Sequence, residues 1–117
     1  MAQYFLAVPH DTAEEPTMAS MDPAELEVAI AQVGRFNTAL QEAGAFVHAG
    51  GLHPPSTAIT VDATGSEPKH TAGPFTEARE YVGGFWIIEV ADEAEALRWA
   101  EQASAAAQTR IEVRALQ

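Results

Sequence analysis

Cysteine is missing altogether from this 117-residue sequence. That excludes disulfides, thiolate nucleophiles and cysteine-ligated zinc together. Basic residues are scarce too: six lysines and arginines stand against 17 aspartates and glutamates, a net charge of -11. Such a surface repels phosphate backbones and anionic headgroups and offers no basic patch to release counterions. Neither nucleic acid nor a membrane surface is therefore an expected partner. Long apolar runs are also absent. The opening residues have no basic flank, and their apolar stretch stops at Pro9. This is too short for a signal peptide or a membrane span. A cytoplasmic protein is the expectation. The four histidines (His10, His48, His53 and His70) show neither His-x-His nor His-x3-His spacing, so no metal is expected. Gly73-Pro74-Phe75 lacks the glycine spacing and the lysine of a phosphate loop. No cofactor is expected either.

What remains suffices for one domain spanning residues 1–117. Hydrophobic residues make up 47 % of the chain, enough for a core. Residues 3 to 8 read as a strand with Tyr4, Leu6 and Val8 on one face and Phe5 and Ala7 on the other. Residues 9 to 21 read as a loop. Asp22, Pro23 and Glu25 then form a helix start, with acid cap, proline at the first helical position and the capping-box glutamate. Leu26, Ile30, Val33, Asn37 and Leu40 share one stripe, widened by Phe36, and Gly44 suits a left-handed end.

A second strand is read over 45 to 49, stopped by Gly50-Gly51. The alternating stretch 57 to 61 and residues 69 to 71 read as a hairpin around the turn residues 62 to 66. Residues 85 to 90 form the strongest strand, apolar on nearly both faces and preceded by Gly83-Gly84. Asp92 and Glu95 repeat the capping box for a second helix, whose buried stripe is Ala96, Trp99, Ala100 and Ala103. Residues 109 to 114 alternate as a closing strand. The order is two β-α-β halves with a hairpin inserted. It predicts a ferredoxin-like α+β domain with both helices on one face of an antiparallel sheet. The other face keeps aromatics and aliphatics. A second copy of the chain is the expected cover, because a large exposed apolar patch is unusual in a monomer.

Several segments, in collinear order, resemble the YCII-related (YciI-like) family. They are Gly50-Gly51-Leu52-His53-Pro54-Pro55 followed by Ala58, Thr60 and Val61; Gly73-Pro74-Phe75-Thr76-Glu77; Glu80 with Gly83-Gly84-Phe85; and Ile111-Glu112-Val113-Arg114. The second resembles the Asp-Gly-Pro-Phe-x-Glu motif of the family's DGPF branch. The resemblance implies a dimeric α+β barrel of two ferredoxin-like subunits set sheet to sheet, and a homodimer. Wider relatives include dehydrochlorinase-like and muconolactone-isomerase-like proteins that act on small ring compounds. Two departures stand out. Ala72 occupies the place of the motif's aspartate, and residues 22 to 44 contain no histidine where YciI-like members carry one on the first helix. The family's His–Asp pair therefore does not transfer to this chain.

Candidate polar groups follow from placement. His48 lies in an apolar strand before small residues that let a ligand approach, and reads as an acid/base group or as an interface histidine. Glu77, with Glu80, follows the Gly-Pro-Phe turn and serves either as a general base or to satisfy backbone N–H groups. His10 beside Asp11, His53 before two prolines, and Phe75 of the turn are candidate ligand contacts. Glu89 shares a face with Phe85 and Ile87 and needs a partner if buried; Glu112 and Arg114 are placed to supply one. Three readings stay open: a binder of a small, partly apolar ring compound, a lyase or isomerase with a histidine base, and a non-catalytic interaction module.

Overall fold

A computed structural model describes residues 1–10, 22–75 and 80–117. Six strands and two helices follow in the order β1 (Ala2–His10), α1 (Pro23–Glu42), β2 (Phe46–Gly51), β3 (Ile59–Asp62), β4 (Lys69–Ala72), β5 (Tyr81–Val90), α2 (Glu93–Ala107) and β6 (Glu112–Ala115). A 3-10 turn, Pro55–Thr57, leads into β3. β2, β5, β1 and β6 form one antiparallel sheet in that spatial order, while β3 and β4 form a separate hairpin. With the hairpin set aside, the order is that of a ferredoxin-like α+β domain. The molecule is a slab, 48 × 39 × 20 Å. Twenty ångströms is the depth of one sheet and one helix layer, each about 10 Å thick.

Both helices cover the same sheet face. Leu6, Trp86, Ile88 and Val90 meet Phe36 and Leu40 of α1 and Ala96, Ala100 and Ala103 of α2. The alanine stripe of α2 lets that helix sit close, and the space is filled by aromatics from the other elements. Phe36 meets Trp86 edge-on at 5.0 Å and Trp99 at 6.1 Å. The Trp86 indole N–H donates to Asn37 Oδ1 at 2.7 Å, so the one polar residue on the α1 stripe satisfies the one polar atom of that ring.

The two helix starts differ. Asp92 accepts from the Glu95 N–H at 2.9 Å, while the Glu95 carboxylate reaches back to the Ala91 N–H. Asp22 makes no such side-chain bond. The capping box read at Glu25 does not form there, and proline at the first position already removes one of the donors a cap would serve. At the other end Gly44, at φ 71°, donates to the Gln41 carbonyl, and Ala45 to Leu40. This is the left-handed stop read from Gly44.

Other differences are of extent. Ile30 is 58 % exposed, and burial on α1 concentrates at Phe36 and Leu40. Periodicity gives the side of a helix that turns inward but not how far the sheet runs beneath it. β5 begins at Tyr81, so Gly83 and Gly84 lie inside the strand rather than before it. β1 continues through Pro9 and His10, with a register shift at Val8/Pro9 opposite Gly83. Proline is tolerated at such an irregularity, where a ladder bond is lost in any case. Among the described residues no helix is long and apolar enough to cross a membrane.

Candidate functional site

The face of the sheet away from the helices is built in cross-strand rows. His48 of β2, Ile87 of β5, Phe5 of β1 and Arg114 of β6 are register neighbours across four strands. The next row is Gly50, Phe85, Ala7 and Glu112. Each row is apolar over the two central strands and ends on an edge strand. Phe5 and Phe85 stack at 5.5 Å with an 18° angle between rings, and the His48 ring lies 5.9 Å from Phe85. A Cβ at Gly50 would stand 3.3 Å from the Phe85 ring, so glycine lets that ring lie flat across the edge strand. Beyond the first row Glu89 faces Gln3, which donates to it at 3.2 Å. Phe5, Phe85, Ile87 and Glu89 are all half-buried.

At one end of this face, where pairing with β6 stops at Ala7 while β1 runs on to His10, lies a half-open cavity of about 390 Å³. Its apolar wall is Ala7, Val8, Pro9, Val82 and Ile111. Its polar groups are Glu80, Tyr81, Arg110, Glu112 and Arg114. Arg110 pairs with Glu80, and Arg114 Nε donates to Glu112 at 3.0 Å. The size falls in the range of small-molecule sites.

The register places His48, Glu89 and Arg114 on the uncovered face, an orientation the sequence left open for His48 and Glu89. They do not converge. His48 and Arg114 are three strand spacings apart, about 14 Å at ~4.8 Å per strand. Glu112 and Arg114 pair with each other and not with Glu89, whose partner is Gln3. Of the candidate polar groups among the described residues, Glu80, Glu112 and Arg114 line the cavity, and His10, His48, His53 and Glu89 do not. His53 is exposed on the segment before the 3-10 turn, and Phe75 is 89 % exposed. Glu77 and Asp11 lie outside the described residues. His10 ends β1 rather than hanging from a loop, and its ring packs on Gly83 with Nε2 shielded from solvent and without a hydrogen-bond partner among the described residues. Among the described residues no histidine pairs with a carboxylate, and no three His, Asp or Glu side chains converge on a point.

The cavity residues Glu80, Tyr81 and Arg110 come together only because the starts of β5 and β6 flank the end of β1. One sequence signal points to them. Arg110 and Arg114 are two of only six cations and lie five residues apart, counted inclusively, around the last strand.

The model of the YCII-related domain matches residues 3–117. The chain belongs to the YCII-related family. No curated protein matches it. YCII-related membership agrees with the two-helix antiparallel architecture and accounts for the collinear segments, including Ile111 to Arg114 at the cavity.

Proposed function

We propose that this YCII-related chain belongs to the DGPF branch and works in the cytoplasm as a homodimer whose subunits meet sheet to sheet. In this reading it binds a small, partly apolar ring compound in the cavity between the sheet and its flanking loops. The branch assignment rests on Gly73-Pro74-Phe75-Thr76-Glu77. One observation carries the rest: the uncovered face has a stacked Phe5–Phe85 pair at its centre with Ile87 beside it. A two-layer slab leaves that apolar surface wet in a lone subunit, and burying it is favourable at about 25 cal/mol per Å². The radius of gyration, 16.3 Å, also exceeds the roughly 13 Å of a compact domain of this length. An isologous pairing across the face would add the missing layer.

Stacked rings and a neighbouring cavity with one apolar wall suit a flat, partly apolar ligand. Arg114 offers the polar contact inside the cavity, and His48 and Glu89 lie along the face outside it. No reaction is assigned. A histidine-driven lyase or isomerase needs a base and its carboxylate within hydrogen-bond reach, and no such pair occurs among the described residues.

Sedimentation tests the assembly. Wild type should run at twice the subunit mass at micromolar concentration, and Ile87→Asp at the subunit mass. A wild-type chain that sediments as a single folded subunit refutes the dimer. A thermal-shift screen of small ring compounds tests the ligand class, and the absence of any stabilising compound refutes that part.

A further inference from the structure

The cavity has an uneven share of charge. The whole chain carries six basic and 17 acidic residues, yet two of each line this one cavity. A third of all cations sits where about an eighth of the acids do. Both ion pairs are largely exposed, with the side chains of Arg110 and Arg114 71 % and 77 % accessible. Pairs so exposed contribute little to the stability of the subunit, so the subunit's own stability does not account for gathering them here.

Their geometry leaves donors in hand. A guanidinium carries five N–H groups in a planar fork. Arg114 uses only Nε, on Glu112, and its two terminal nitrogens have no acceptor among the described residues. The Glu112 carboxylate thus anchors the stem side of the guanidinium and leaves its outer fork open. Arg110 is held differently: its terminal Nη2 pairs with Glu80 from the segment before β5, so Arg114 carries the open fork and Arg110 adds charge beside it. Beside these groups stands the apolar wall of Val8, Pro9, Val82 and Ile111.

We infer that this cavity takes the carboxylate of a small organic acid, received end-on by the Arg114 fork with Arg110 beside it, while the acid's apolar body lies on the Val8–Val82–Ile111 wall. The inference rests on the ring-compound reading and narrows it to acids. A planar monoanion matches the fork bidentately. A dianionic phosphate suits the site less, because the one open fork belongs to Arg114 and repulsion from the Glu80 and Glu112 carboxylates grows with the ligand's charge. Glu112 acts as a positioning residue through Arg114.

The test uses the full chain, calorimetry, and four probes sharing one ring: benzoate, benzyl alcohol, benzamide and phenyl phosphate. Benzoate should bind about tenfold or more tightly than the two neutral probes, the usual worth of a hydrogen bond to a charged group. It should also bind more tightly than phenyl phosphate. Arg114→Gln and Arg114→Lys should each remove the preference for benzoate, the second because it keeps the charge but loses the fork. Arg98→Gln, on α2 and away from the cavity, should leave it intact. Arg114 is a surface side chain, so its variants are expected to fold, and matching melting curves without probe check this. Equal binding of benzoate and benzyl alcohol overturns the carboxylate inference while the ring-compound reading survives. So does an Arg114→Gln protein that still prefers benzoate, or tighter binding of phenyl phosphate. No binding by any of these probes or by any compound of the thermal-shift screen overturns both.

Discussion

Replacing Gly83 by alanine places a methyl group inside the His10 ring. The new Cβ would stand 2.1 Å from His10 Cδ2, 2.6 Å from Nε2 and 2.7 Å from Cγ. Carbon atoms settle at about 3.5–4.0 Å, so the ring must move by more than an ångström or the β1–β5 ladder must open at its irregular end. Overpacking of this kind costs about 1–3 kcal/mol. The unfolding entropy, at ~2.1 cal/mol/K per residue over 117 residues, is about 0.25 kcal/mol/K. The melting temperature should therefore fall by roughly 4–12 °C. Scanning calorimetry on wild type, Gly83→Ala, His10→Ala and the double variant measures this. The clash belongs to the pair, so Gly83→Ala should cost less than about 0.5 kcal/mol once His10 is alanine. A Gly83→Ala protein that melts within about 1 °C of wild type refutes the close packing. So does an equal penalty with and without the imidazole. Gly34 is the control, because nothing lies within 4 Å of the position its Cβ would take and it sits within α1. Alanine there should raise the melting temperature by up to about 4 °C through helix propensity alone.

Asn37→Ala leaves the Trp86 indole N–H without its 2.7 Å acceptor and should cost about 1–3 kcal/mol in urea unfolding; an unchanged midpoint would remove Asn37 from the core account. Asp92→Ala removes a formed helix cap and should cost about 1 kcal/mol, whereas Asp22→Ala should cost distinctly less because no side-chain bond is lost. Equal penalties would contradict the difference between the two helix starts. The Asp62 carboxylate in the hairpin turn is held below its ordinary value of 3.8, first by the Thr64 hydroxyl and then by the Thr64 N–H. A depressed folded value means that its contribution is present above the unfolded value and is lost as the pH falls through the folded one. Carboxyl NMR should show Asp62 titrating below the ordinary aspartate value, and Thr64→Ala should move it up. An unmoved titration would assign the shift elsewhere.

The candidate site was legible in one dimension only. Alternation puts Glu89 on the face of Phe85 and Ile87 and puts Glu112 with Arg114, but leaves the direction of His48 and Glu89 open; the register of four strands places all four on the uncovered face. Alternation carries no information on distance across a sheet, so it could not show that His48 and Arg114 stand at opposite edges or that Gln3 is the partner of Glu89. His10 escaped it for another reason. A strand that continues through a proline depends on a bulge in its neighbour, and the neighbour is some seventy residues away in sequence.

From the sequence alone come the element order, the helix starting after Asp92, the left-handed turn at Gly44 and the two-faced apolarity of β1 and β5. All are set by residues within a few positions of one another, through backbone geometry and side-chain period. Tertiary structure decided the remainder: the separate hairpin sheet, the exposure of Ile30, the seat of His10 on Gly83, and the cavity where Arg110 and Arg114 gather. Those depend on which distant strand lies alongside and how far it extends, and packing settles that only when all the elements are present together.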